Sequence, residues 1–263
     1  MSHTDSQPAA QGPRPLDGRV AIVTGGSSGI GLAIAGRLAA DGATVVVTAR
    51  RPQPLEEAVA GLALAGHSVY GHPCDVGSSV GVDALVADTV AEHGGVDILV
   101  NNAGHRSRAP FWEISDQEWD GVIATNLCGP FLCSRSVVQH WMSTGGKGRI
   151  INIGSIGAER ATPTQAHYAA AKGGVRMLTQ TMAVELAPYG IPVNCVDPGA
   201  IATPMISDRL QNEADLAFYA AKIPWGAVGD PANVAAAVAF LASSEAQYIT
   251  GAHLAVDGGW LAA

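Results

Sequence analysis

Tyr168 and Lys172 stand four residues apart in the alanine-rich stretch His167–Gly174. On a helix that spacing puts both side chains on one face, one turn apart. A free tyrosine ionises at about pH 10, too high for proton transfer near neutrality. A cation held beside a phenol favours the phenolate and draws it toward a useful range. An ordinary exposed helix could carry the same pair, so its meaning depends on what surrounds it. Thirteen residues upstream, Ser155 follows an apolar run. Its hydroxyl is of the type that donates to an oxygen gaining negative charge.

A second cluster lies near the start of the chain. The turn Thr24–Gly31 contains Gly25, Ser27, Ser28, Gly29, Ile30 and Gly31, after an apolar run and before a helical pattern. Glycines permit a tight turn and close approach to a diphosphate, and a helix N-terminus adds free N–H groups and a positive dipole end. The spacing G-x-x-x-G-x-G departs from the commoner G-x-G-x-x-G, but its context is that of a dinucleotide-binding turn. Arg50 and Arg51 follow the next apolar run, with no acid between Asp41 and Glu56. An acid there would suit free ribose hydroxyls, whereas arginine suits a 2′-phosphate. NADP(H) is therefore favoured as cofactor, with NAD(H) as the alternative.

Alternating elements must position these residues. Strand-like runs fall at 19–24, 43–48, 67–71, 96–100, 149–153, 192–196 and 253–256. Helical patterns fall at 30–40, 54–65, 78–93, 116–144, 165–186 and 232–241, and 203–222 reads as two short helices. Gly129-Pro130 is expected to bend the helix 116–144. Strands alternating with helices imply an α/β fold: a doubly wound, Rossmann-type, parallel seven-stranded sheet with helices on both faces. Such sheets bind ligands at the carboxyl ends of their strands. No linker divides the chain, so residues 16–263 read as a single domain, with a nucleotide-binding half (16–154) and a catalytic half (155–263). Residues 1–15, rich in Ser, Gln, Pro and Gly, read as a disordered tail.

Composition narrows the function classes. Of the 263 residues, 48% are apolar and 14% charged, and the net charge is -8. That balance suits a packed core and argues against a nucleic-acid surface. The four cysteines form no C-x-x-C pair and read as reduced thiols in a cytoplasmic protein. No apolar run is expected to reach the ~20 residues of a membrane span. His67, His72 and Cys74 are of metal-ligand type but have no second cluster, so no metal is expected.

The ordered motifs identify the chain as resembling the short-chain dehydrogenase/reductase family, over about Leu16 to Trp260. These motifs are the turn Thr24–Gly31, Asp75-Val76, Asn101-Asn102-Ala103-Gly104, Asn126, Ser155, the Tyr168/Lys172 pair, Asp197–Thr203 and Val256–Gly259. Members resembling glucose 1-dehydrogenases and 3-oxoacyl-thioester reductases have similar tails. Glucose-type members carry acids in the loops where this chain has Arg106 and Ala158.

The resemblance implies a hydride-transferring oxidoreductase acting on an alcohol or carbonyl. Tyr168 would be acid–base, Lys172 and Ser155 would assist it, and Asn126 would hold a water. It implies cofactor contacts from the glycine turn, from Asp75, Val76, Asn102, Ala103 and Gly104, from Tyr168 and Lys172, and from Pro198, Gly199, Ile201 and Thr203. His105, Arg106, Gly157, Gln165 and Met205 are the candidate substrate contacts. His105, Arg106 and Arg108 have the chemistry to attract a carboxylate, phosphate or thioester-carrier anion. The family also implies a homotetramer. A small-molecule partner is expected; nucleic acid and membrane are not. A 3-oxoacyl-thioester reductase and a non-catalytic cofactor-binding regulator are the alternative readings.

Overall fold

Short runs of β-branched and aliphatic residues form seven strands: β1 (Val20–Thr24), β2 (Thr44–Ala49), β3 (Val69–Pro73), β4 (Ile98–Asn101), β5 (Arg149–Ile153), β6 (Val193–Pro198) and β7 (His253–Val256). The computed structural model describes residues 14–263. The expected tail therefore lies outside the described residues, apart from Arg14 and Pro15. The strands form one parallel sheet in the order β3-β2-β1-β4-β5-β6-β7. This is the doubly wound sheet that the alternating pattern implies.

Each central strand feeds two cores because successive side chains leave opposite faces. Ala21, Val23, Val45, Val47, Ile98, Val100, Ile151 and Ile153 pack on one face. There they meet α1 (Gly29–Ala40), α2 (Pro52–Leu64) and α9 (Pro231–Ala242). Ile22, Val46, Leu99 and Ile150 pack on the other face. That core is completed by α3 (Ser79–His93), α5 (Gly129–Thr144) and α6 (Ala166–Leu186). Helix starts follow local chemistry. Ser78 accepts from the Gly81 N–H at the start of α3, and Asp230 with Asn233 forms a capping box on α9. Helix α2 begins at Pro52, two residues before the expected Pro54, because proline suits a first helical turn. The weakest expected strand, 67–71, lies two residues later, at Val69–Pro73.

The expected single helix 116–144 differs most. It is α4 (Asp116–Ile123), a π turn (Ala124–Cys128) and then α5. Pro130 has no N–H to close an α turn on the Asn126 carbonyl, so the ladder is disturbed just before the expected bend. By length and composition this 29-residue stretch is also apolar enough to cross a bilayer. Its buried Cys133, Val137 and Trp141 show what the apolarity serves: they pack against the sheet and α3.

Between β6 and α9 lie α7 (Ser207–Leu210) and α8 (Glu213–Lys222), the two short helices expected there.

Candidate active site

The sheet changes winding direction between β1 and β4, which opens a crevice at their carboxyl ends. The loops after these strands are bonded to each other. Thr24 Oγ1 accepts from the N–H groups of Asn102 and Ala103, both at 3.0 Å. Asn102 Nδ2 donates to the carbonyls of Thr24 (2.9 Å) and Gly25 (3.1 Å). Gly25 adopts φ +66°, and a Cβ there would sit 2.7 Å from Ala103 Cα. A Cβ on Gly31 would overlap the Gly25 carbonyl and Asn102 Nδ2. These glycines keep backbone against backbone, and no side chain caps α1 at Ser28. First-turn N–H groups of α1 therefore remain available to an anion. The cradle fits a dinucleotide's diphosphate.

From this turn a cavity of about 730 Å³ runs past the ends of β5 and β6. Asn126, Ser155, Tyr168 and Lys172 all line it. So do Gly25, Ser28, Gly29, Ile30, Gly31, Asn102, Gly104, Pro198, Gly199, Ile201 and Thr203 from the expected cofactor set. Arg106, Gly157, Gln165 and Met205 of the expected substrate set line it as well. Other expected residues lie elsewhere. Arg50 and Arg51 are exposed beyond β2, and Ser27 and Ala103, both half-buried, are not among the lining residues. Asp75 Oδ1 accepts from the Gly77 N–H in a local turn, and Val76 is buried against the sheet. The His105 ring packs near Gly121, outside the lining, while its carbonyl accepts from Asn126 Nδ2 at 2.8 Å. Burial first, then the charges of Arg50 and His167, hold His105 below the usual histidine pKa.

The four central side chains have distinct environments. The Lys172 ammonium is buried, donates to the Ile153 carbonyl at 2.7 Å and lies 5.8 Å from the centre of the Tyr168 ring. Ser155 Oγ accepts from the Gly157 N–H at 3.0 Å and starts a short turn. Its hydroxyl proton remains free to donate toward the cavity. A Cβ on Gly157 would lie 3.3 Å from Ser155 Oγ and 3.7 Å from Tyr168 Cε1, so both groups border one spot. Asn126 is fully buried within the π turn and its Oδ1 has no partner among the described residues. Next to the site, Thr164 takes φ +67°, a left-handed conformation that a β-branched residue rarely adopts.

One supporting group was assigned no role from sequence. Asp197 Oδ1 accepts from the Ser155 N–H (3.1 Å), and its Oδ2 lies 3.0 Å from His253 Nδ1. Arg176 Nη1 is 3.8 Å from the same carboxylate and pairs with Glu159. The Cys195 thiol donates to Oδ1 at 3.2 Å. Burial, then Asp197, pushes that thiol's pKa up. An acid at the end of a buried strand requires partners, and that was the available signal.

A family model described as enoyl-(acyl carrier protein) reductase matches residues 25–261. The chain belongs to the short-chain dehydrogenase/reductase family. It is thus an NAD(P)(H)-dependent oxidoreductase acting on CH–OH or carbonyl groups. It is 41% identical over 245 residues to 3β-hydroxysteroid dehydrogenase 1 of Eggerthella lenta, covering 93% of this chain and 94% of that protein. It is 42% identical over 244 residues to the 3-oxoacyl-[acyl-carrier-protein] reductase FabG of Vibrio cholerae, covering 93% and 98%. Its fold matches a gluconate 5-dehydrogenase from Burkholderia cenocepacia, solved with NADP and tartrate. The TM-score is 0.90 at 36% identity, over 94% of this chain and 97% of that one.

Proposed function

We propose that this oxidoreductase interconverts a secondary alcohol and a ketone with Tyr168 as the acid–base and NADP(H) as the preferred cofactor. The observation that carries this reading is the convergence of Asn126, Ser155, Tyr168 and Lys172 on the cavity that the glycine turn opens. A bound nicotinamide supplies the hydride acceptor or donor. The chain's own residues manage the oxygen and its proton. Ser155 Oγ donates to the substrate oxygen as negative charge grows there. Tyr168 Oη gives that oxygen a proton on reduction and removes one on oxidation. The Lys172 ammonium, held by the Ile153 carbonyl, stabilises the phenolate while the proton is away. Asn126 holds a water beside Lys172 that connects the site to bulk protons. Asp197 holds the Ser155 backbone and so the hydroxyl's direction.

Arg50, with Arg51 beside it, is proposed to meet the adenosine 2′-phosphate, and Asp75 with Val76 to border the adenine. The NADP in the Burkholderia structure favours the same preference here. A homotetramer is proposed on the exposed apolar side chains of α5 (Phe131, Met142) and α6 (Met177, Val184), with Phe240 and Leu254 on a second face. A cytoplasmic setting is proposed on the four free thiols, three of them buried.

The test is a panel of ketones, aldoses, polyols and 3-oxoacyl thioesters read by NADPH and NADH absorbance, on the native chain and on Tyr168→Phe. We expect turnover in the native chain and a loss of roughly 10²-fold or more in the variant, with cofactor binding kept. Unchanged turnover in Tyr168→Phe removes the mechanism.

A further inference from the structure

The cavity's lining holds Arg106, Arg108, Arg160, Lys172, Arg209 and Lys222, and no Asp or Glu among the described residues. The chain as a whole has 23 acids against 15 Lys and Arg and a net charge of -8. Six of its cations thus line one cavity, with Asp215 the acid paired to one of them from behind the lining. Several already have partners. Lys172 donates to Ile153, Arg160 donates to the carbonyls of Trp260 and Ala263 at 3.2 Å each, and Arg209 pairs with Asp215 at 2.6 Å. Arg106 gives one N–H to the Met205 carbonyl at 3.2 Å. Arg108 makes no ion pair or side-chain hydrogen bond among the described residues. Desolvation, then neighbouring Arg106 and Arg209, hold its pKa below the usual arginine range. A guanidinium stays charged even so. Asp215 offsets Arg209 from outside the lining, but Arg106 and Arg108 border the cavity with no carboxylate of their own, and an anion between them would relieve their repulsion.

These cations have a fixed address. Ser107 Oγ and His167 Nε2 are 2.7 Å apart, and the Ala109 N–H donates to the Thr164 carbonyl at 3.2 Å. The Arg106–Arg108 loop is thereby fastened to the start of α6, next to Tyr168. The cavity also has an aromatic wall. Phe218, Tyr219 and Trp260 meet edge to face, with ring centroids 5.8 to 6.2 Å apart.

We propose that the substrate carries an oxyanion, a carboxylate or a phosphate ester, which Arg108 and Arg106 hold while an apolar body packs on Phe218, Tyr219 and Trp260. This rests on the reading that Tyr168 marks the reacting oxygen. Arginine forks match both oxyanions in a bidentate manner. The cations line the cavity itself, which suits a small anion that enters it more than the acidic surface of a carrier protein.

The test measures binding to the NADP⁺-saturated protein by calorimetry, using three unreactive probes: 4-phenylbutanoate, phenyl phosphate and neutral 4-phenylbutanamide. At least one anion should bind about tenfold or more tighter than the amide, and the tighter anion identifies the oxyanion class. Arg108→Ala should remove that advantage while leaving affinity for the amide and for NADP⁺ unchanged. Equal binding of all three probes, binding of none, or an Arg108→Ala variant that weakens all three alike overturns the proposal. So does turnover of a carrier-bound 3-oxoacyl thioester without binding of either small anion. Tyr168→Phe separates the two readings, because it should cut turnover by roughly 10²-fold or more and keep the anion preference. Retained turnover in that variant overturns the catalytic reading alone, whereas a lost anion preference in the native chain overturns the substrate class alone.

Discussion

The two ends of the cavity are built from different materials. At the glycine turn the working surface is backbone: Gly25 at positive φ, Gly31 against the Gly25 carbonyl, and the uncapped start of α1. At the Tyr168 end the surface is side chains from separate segments: Arg106 and Arg108 before α4, Ser155 after β5, Arg209 and Phe218 from α7 and α8, and Trp260 near the terminus. At Gly25 and Gly31 there is no room for an added atom, and the uncapped N–H groups of α1 suit a diphosphate, the part that all such dinucleotides share. Side chains on loops can be exchanged singly, so that end can choose among substrates.

The first way to break the contrast is Asp197→Ala. Although it lies at the side-chain end, Asp197 is as constrained as any glycine, because His253, Cys195 and the Ser155 N–H all depend on it. We expect a loss of roughly 3–5 kcal/mol in chemical denaturation, from buried partners left without it. A near-neutral variant would make this end soft throughout.

Gly31→Ala probes the backbone end. Overlap with the Gly25 carbonyl should cost about 1–3 kcal/mol of stability and weaken NADP⁺ binding, measured by calorimetry. Normal binding would mean that the cradle is not close-packed in solution.

Arg50→Ala sharpens the contrast by removing a side chain from the backbone end. NADP⁺ affinity should fall by about tenfold, with NAD⁺ unchanged; equal effects would take Arg50 off the 2′-phosphate.

The smallest effect concerns pH. Burial, Arg50 and His167 hold His105 below its usual pKa. As pH falls below about 6.5, the unfolded chain takes up this proton before the folded chain does. Stability from His105 is therefore full above that pH and is lost as pH falls through the folded pKa. His105→Asn should flatten this slope in denaturation at pH 5 to 7. Arg50→Ala should flatten it in part, and an unaltered slope would place Arg50 far from His105.

Much was legible because backbone constraints leave fixed letters. The glycine turn, the Asn101–Gly104 stretch and the alternation of apolar runs anticipate the crevice and all seven strands. Other features had no local letter. Asn126 reads as one polar residue in a long helix, and its burial in a π turn depends on Pro130 and the neighbouring packing. Strand β3 is displaced from its expected place because only Val69 in it is buried, so the hydrophobic pattern is faint.

Spacing within single segments was enough for the parallel sheet, the glycine turn and the Tyr168–Lys172 pair. Folding brings the cations together round one cavity whose lining has no acid, and sets a buried carboxylate behind Ser155. Those groups come from segments up to about a hundred residues apart, and the parallel strand order, not spacing along the chain, sets the distances between them.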